Sequence, residues 1–384
     1  MIFSDIDRKD AGPKLSRESM YAFMDRSADG LVSRARELLE RLVAKYPEGE
    51  QSELIARFRS GKDEAYRSAE FELILYSFLS SRGYKLAPHP TLPNGTGAHP
   101  DFLVTSPDGC KFYLEAVNTS ERDVHIFGDA LTKQTLDVLR TNAHPNFCVG
   151  VRTMGRPQTQ PSRRKFVRCI LKWLDGLDPD FVENQKREGT AAPSIIWCHE
   201  DLKIEITAMP LPMRRRKKSR QLLGVHSGEL GWVRPQERIR DALCSKGNKY
   251  GKPDHPFVIA VNFEGYGLRR TDEVAALFGD EVLVVQFDGA DDDGDLRRKP
   301  NGAWIGVGGP VFTRVAGAWI FDGLSPYFLA ECSGTLYLNP FAEKAAPSSL
   351  REFAHAYEQD GQLVWVEGPT IGNILDYPTA TPDL

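Results

Sequence analysis

The chain has 384 residues and a formal net charge of −4; its 41% hydrophobic and 27% charged content is that of a folded globular protein, not of a disordered or collagenous one. No apolar run reaches the roughly 18 residues of a membrane helix, because the nearest, Trp304 to Phe321, is broken by Arg314 and several glycines. The start Met1-Ile2-Phe3-Ser4-Asp5 carries neither a basic nor an apolar leader, so a cytoplasmic protein without a membrane partner is expected. The six cysteines, at 110, 148, 169, 198, 244 and 332, form no Cys-x-x-Cys pair, which argues against a zinc site or a disulfide framework.

Residues 15 to 60 read as helices, with Leu31, Ala35, Leu38, Leu39, Leu42 and Val43 as an apolar stripe that packs on the core of the fold. Phe71, Ile74, Leu75, Phe78 and Leu79 recur at helical spacing, and Gly83 ends that helix. Tyr84 to Ala87 is a short strand closed by a turn running from Pro88 to Gly97. Pro100 to Val104 is a second strand, Ser106-Pro107-Asp108-Gly109 a hairpin turn, and Lys111 to Val117 a third strand. Alternation puts Asp101, Leu103 and Thr105 on one face, and antiparallel pairing across the turn brings Glu115 near Asp101. Glu115 stands among Tyr113, Leu114, Ala116 and Val117 in a strand that otherwise looks buried, where a lone carboxylate is costly and calls for a cationic partner. Glu70, beside Glu72, reads as an exposed helix residue.

Further along, a strand is expected at Asn146 to Arg152, a helix at Arg163 to Leu174 and a hairpin from Ser194 to Met209, with Pro-rich connections. Arg214, Arg215, Arg216, Lys217, Lys218 and Arg220 crowd six cations into seven residues, a mobile basic loop suited to neutralising phosphates. Ile239 to Lys246 is a helix before the apolar strand Phe257 to Val261; beyond it, a helix is expected at Asp272 to Phe278 and strands at 282–287, 302–305, 318–321 and 335–338. Asp288 to Asp295 lacks the Glu of a calcium loop, and Gly306 to Pro310 does not lead into the Lys-Ser/Thr helix of a phosphate cradle.

On three elements the chain resembles the PD-(D/E)XK nuclease superfamily: Phe71-Glu72 eleven residues before Gly83-Tyr84, Pro100-Asp101, and Glu115 after a short hairpin. The resemblance covers roughly residues 63 to 118. It implies an α/β fold with a restriction-endonuclease-like core (helix, three-strand meander, helix, strand), here with N-terminal helices and a mixed C-terminal region. It also implies Mg²⁺ or Mn²⁺ held by Asp101, Glu115 and the Ala116 backbone carbonyl, with Glu72 assisting. The family pattern has a Lys two residues after the second acid, and this chain has Val117 there.

Phosphodiester hydrolysis still needs a cation for charge developing on the phosphate. Lys246 is favoured, because some members of the superfamily carry a polar-x-x-x-Tyr pattern on the helix after the third strand, and Lys246 to Tyr250 looks like one. This choice makes residues 119 to 234 an insertion, the natural specificity element. Lys133 needs no insertion and is the alternative. The expected organisation is a helical region at 1–60, a nuclease-like core at 61–265 and a C-terminal α/β region at 266–384. The expected function is a metal-dependent nuclease acting on DNA, in defence or DNA processing, alone or with a homodimer mate or partner subunit. The alternatives are an inactive nuclease-like module that binds nucleic acid or protein, and an interaction protein whose acids are structural.

Overall fold

The computed structural model describes residues 1–93, 97–120, 130–187, 192–217, 221–227, 234–265, 267–284 and 295–377. The chain divides into two compact units: Met1–Asp5, Gly30–Glu121 and Val233–Leu384 form the first, and Ile6–Asp29 with Arg122–Trp232 form the second. These limits differ from the boundaries expected at 60/61 and 265/266. The helix α1 (Met20–Arg26) belongs to the second unit, and the C-terminal residues continue the first unit's sheet instead of starting a separate region.

In the first unit, α2 (Gly30–Val43) buries Val32, Ala35, Leu38, Leu39, Leu42 and Val43, whereas Leu31 is 55% exposed. The expected stripe is buried from Ala35 to Val43, and only its first member differs, with Val32 covered in the place of Leu31. After α3 (Glu48–Arg59), α4 (Asp63–Ser81) buries Phe71, Leu73, Ile74, Leu75, Phe78 and Leu79 on more than one face, which marks it as a core helix. Gly83 lies just beyond it at φ 85°, a left-handed position that favours glycine.

β1 (Lys85–Pro88), β2 (Phe102–Thr105) and β3 (Lys111–Ser120) form the antiparallel meander expected from the alternation. The tight turn is closed by Ser106 N–H donating to the Cys110 carbonyl (2.8 Å), with Gly109 at φ 87°.

The second unit supplies the next elements: α5 (Ala130–Arg140), β4 (Phe147–Met154), α6 (Arg163–Asp175), α7 (Pro179–Arg187), β5 (Ser194–His199), β6 (Leu202–Pro210) and β7 (Leu223–Ser227). Its sheet runs β5-β6-β4-β7, antiparallel apart from the parallel β4/β7 pair. Leu139, Phe147, Val149, Phe166, Ile170 and Ile204 are fully buried in its own core.

The chain re-enters the first unit through α8 (Pro235–Lys249), whose first residue is a proline, the position where a missing N–H costs least. β8 (Phe257–Glu264) then pairs parallel with β3 and is buried at seven of its eight positions, as a strand covered on both faces must be. After α9 (Arg270–Phe278), β9 (Val315–Asp322) pairs parallel with the other edge of β8. β10 (Thr335–Leu338), β11 (His355–Gln359) and β12 (Gln362–Val366) complete an eight-stranded mixed sheet in the order β1-β2-β3-β8-β9-β10-β11-β12. The β11/β12 hairpin escapes the sequence reading, although Asp360-Gly361, both at positive φ, is a strong turn signal between alternating residues. A short strand at Glu281–Val284 starts one residue before the expected one, but residues 285–287 of the expected span, like 288–294 of the expected loop, lie outside the described residues, and Asp295 opens a short strand (Asp295–Arg298). No helix among the described residues is long and apolar enough to cross a membrane.

Candidate active site

Five elements of the first unit, α3, α4, β2, β3 and α8, bring charged groups together. The β2/β3 register, Phe102 opposite Leu114, places Asp101 opposite Glu115 one pair further on. Asp101 is fixed by the Ala116 N–H, which donates to Asp101 Oδ2 at 2.6 Å. Glu115 lies in β3 between β2 and β8 and is only 1% exposed. A carboxylate so deep in a sheet survives only with donors around it. α8 supplies them: Lys246 Nζ reaches Glu115 Oε1 at 2.6 Å, Lys249 Nζ lies 3.7 Å from the same oxygen, and the Tyr250 hydroxyl donates to Glu115 Oε2. Lys246 and Tyr250 are four residues apart, one turn of the same helical face, which is why both reach one carboxylate.

Glu72, on α4, is the third acid and is 5% exposed. It forms a two-pronged ion pair with Arg57 of α3: Arg57 Nη1 donates to Oε2 at 2.7 Å and Nη2 to Oε1. Arg57 also lies 3.7 Å from Glu53, on its own helix. Although burial pulls the guanidinium pKa down, the bond and charge of Glu72 outweigh it and hold that pKa above its usual value. Asp101 is the frustrated member. Burial, then the charges of Glu72 and Glu115, push its pKa well above the carboxylate range, against smaller opposite effects from the Ala116 N–H and Lys246. Burial and Glu115 likewise raise the Tyr250 phenol, keeping it a proton donor.

The structure thus assembles Glu72, Asp101, Glu115, Ala116 and Lys246. Arg57 was missed: the only hint was a cation in a helix preceding the one with Glu72, and which of several cations turns inward is a tertiary outcome. Glu70 is partly buried, not exposed, and burial together with the smaller effect of the Glu264 charge lifts its pKa to about 8. Lys133 belongs to α5 of the second unit.

The basic run is less free than expected. Met213–Arg215 is a 3₁₀ turn that leaves Arg214 and Arg215 exposed. Arg216, however, is engaged with Asp180 (2.6 Å) and the Leu211 carbonyl (3.2 Å). The Lys217 N–H donates to the Pro145 carbonyl (2.7 Å), and Lys218 and Arg220 lie outside the described residues.

Whether a metal fits is decided by the donor set. Among the described residues, no three His, Cys, Asp or Glu side chains form a metal-holding group. Both oxygens of Glu72 and both of Glu115 have protein donors, whereas among the described residues Asp101 Oδ1 has none. What remains is a hard-oxygen pair, Asp101 and Glu115, in which burial and the neighbouring acids oppose the ionisation of Asp101 until a cation joins it. That suits a cation such as Mg²⁺, which takes one or two carboxylates and keeps the rest of its shell for water and phosphate.

Fold and site together define a mixed α/β protein with a carboxylate pair, Glu115 buried and Asp101 half-buried, on neighbouring strands of its sheet, served by a lysine and a tyrosine from one helix. No family model matches the chain, and neither a curated protein nor a solved structure matches it.

Proposed function

We propose that this chain is a metal-dependent nuclease of the PD-(D/E)XK type, hydrolysing phosphodiester bonds in DNA, and that the first unit has a restriction-endonuclease-like core. The observation that carries the reading is the 2.6 Å contact between Lys246 Nζ and Glu115 Oε1. The second acid has its lysine even though strand position 117 is Val. The order of elements supports the reading: a helix with Glu72, a three-strand meander with Asp101 and Glu115, a helix with Lys246, then a strand parallel to the third.

Asp101, Glu115 and the Ala116 carbonyl would hold Mg²⁺ or Mn²⁺. When bound, such an ion lowers the pKa of its water and neutralises charge on the phosphate. The protein's own groups do the rest. Lys246, 26% exposed, can reach solvent-side oxygens of a substrate while staying against Glu115. Tyr250 fixes the Glu115 carboxylate. Arg57 fixes Glu72 and adds a second positive charge near Asp101.

A second reading, a nuclease-like module without activity, is favoured by one fact: Lys246 and Tyr250 already occupy both oxygens of Glu115. Cleavage of plasmid, single-stranded DNA and RNA by wild type and Asp101→Ala, at low salt with Mg²⁺, Mn²⁺ or EDTA, separates the two. Divalent-dependent cleavage lost in Asp101→Ala sustains the nuclease. Inactive wild type that also fails to bind Mn²⁺ in titration calorimetry selects the inactive module.

A further inference from the structure

The helix α6 combines an apolar face already used by its own unit with an outer face on which charge has no internal partner. Phe166, Ile170 and Leu174 are fully buried. Arg163, Arg164, Lys165, Arg168 and Lys172 are all exposed, and among the described residues none of the five forms an ion pair. The one acid of the helix, Asp175, stands at its last residue beside His144 (3.2 Å).

This arrangement runs against the stability of the helix. Three cations occupy the first turn, where the helix dipole favours anions. Arg164, Arg168 and Lys172 succeed one another at i, i+4 spacing, where like charges repel. Ser162 caps the N-terminus by accepting from the Lys165 N–H, but among the described residues no acidic side chain pairs with these cations, which leaves the face open to an outside anion.

We infer that the exposed face of α6 docks the phosphate backbone of duplex DNA. The choice of DNA rests on the nuclease reading above; the need for a polyanion does not. Arg164, Arg168 and Lys172 rise about 6 Å from one to the next along the helix axis, forming a straight row of cations that can each meet a phosphate. The face has no exposed aromatic side chain, since Phe166 is buried and Trp173 half-buried. A stacking platform for single strands is therefore missing. A membrane surface is disfavoured for a different reason: the apolar residues an interfacial helix would insert are locked in the unit's own core. The engaged Arg216 leaves less of the 214–220 run for phosphates, whereas α6 offers five uncommitted cations on a rigid element.

The test is fluorescence anisotropy of a labelled 20-bp duplex with the full chain in EDTA, across a range of KCl concentrations. Wild type binds with a steep negative slope of log affinity against log salt. In Arg164→Ala/Arg168→Ala/Lys172→Ala that slope falls by about 2.7, roughly 0.9 per lost phosphate contact, and low-salt affinity falls at least tenfold. The charge-keeping variant Arg164→Lys/Arg168→Lys/Lys172→Arg retains the wild-type slope, which separates lost charge from lost folding. An unchanged slope in the alanine variant, or wild type that binds heparin, single strands or anionic vesicles but not duplex, overturns the inference. Because the assay contains no divalent ion, it is independent of cleavage. Salt-dependent binding through α6 without metal-dependent cutting would overturn the nuclease and leave the interface; cutting and duplex binding both indifferent to α6 would do the reverse.

Discussion

Replacing Lys246 by methionine keeps the aliphatic stem and removes only the ammonium, which isolates the charge that Glu115 depends on. Breaking a fully buried ion pair from one side costs about 3–5 kcal/mol, because the other charge stays behind unpaired. Here Glu115 is 1% exposed but Lys246 is 26% exposed, and Tyr250 and the more distant Lys249 remain on the carboxylate. The loss should therefore be smaller, about 2 kcal/mol. With an m-value of about 3 kcal/mol per M, that lowers the urea midpoint of the first unit's transition by about 0.7 M in EDTA at pH 8.

The deficit should depend on pH in a defined direction. Lys246 is among the groups that hold the Asp101 pKa down, so without it that already raised pKa climbs further. A carboxyl whose folded-state pKa lies above its unfolded value is destabilising once pH exceeds the unfolded value, and the penalty is complete above the folded one. The variant should therefore recover toward wild type as pH falls through the raised Asp101 pKa. Added Mn²⁺ should stabilise it more than wild type, since no ammonium then competes for Glu115. A variant within 0.5 kcal/mol of wild type at pH 8, or a deficit that grows on acidification, would refute the claim that Lys246 neutralises this carboxylate pair.

The same electrostatics sets two further outcomes. Glu70, with its pKa lifted to about 8, binds a proton in the folded state that it releases on unfolding at neutral pH, so Glu70→Gln should stabilise by up to about 4–5 kcal/mol at pH 8.5 and by only about 1 kcal/mol at pH 5. Equal effects at the two pH values in urea titrations would contradict this. Arg57→Met and Glu72→Gln should each destabilise the first unit, Arg57→Met by about 3 kcal/mol because it strands the Glu72 charge, and a double-mutant cycle should return a coupling above about 1 kcal/mol. Additive effects would mean that the two-pronged contact contributes nothing of its own.

Short-range pairing made the carboxylate pair legible, and the resemblance pointed to Lys246 and Glu72. The hairpin fixes Asp101 opposite Glu115 through the turn at Ser106 to Gly109, which the chain itself shows, whereas Lys246 and Tyr250, one helical turn apart, are reached only through the likeness to the superfamily's helix pattern. Arg57 could not be read along the chain, because its selection over Arg59 depends on how α3 packs on α4. Arg59 instead donates to the Ile2 carbonyl (2.8 Å). The first member of the α2 stripe has a similar origin: Leu31 and Val32 are both apolar, and only the position of α2 against its neighbours decides which is covered. The cations of α6 stand in the sequence as Arg164, Arg168 and Lys172, but only the folded unit shows that they lack internal partners while Arg216 of the denser run has one. That residues 6–29 join residues 122–232 has no local signature at all, since it rests on contacts such as Ser16 Oγ donating to Asp137 (2.6 Å) across 121 positions.

The wide separation of β3 from its central neighbour β8 bears on how the polypeptide is made. Lys246 lies 131 positions after Glu115, and at 5–20 residues per second the ribosome needs about 7–26 s to reach it. Throughout that interval the nascent meander has an open strand edge and a carboxylate whose ammonium has not been synthesised, while the second unit emerges in full. Nascent chains stalled before residue 235 should therefore hold a folded second unit beside an unfinished sheet, the state most in need of a chaperone.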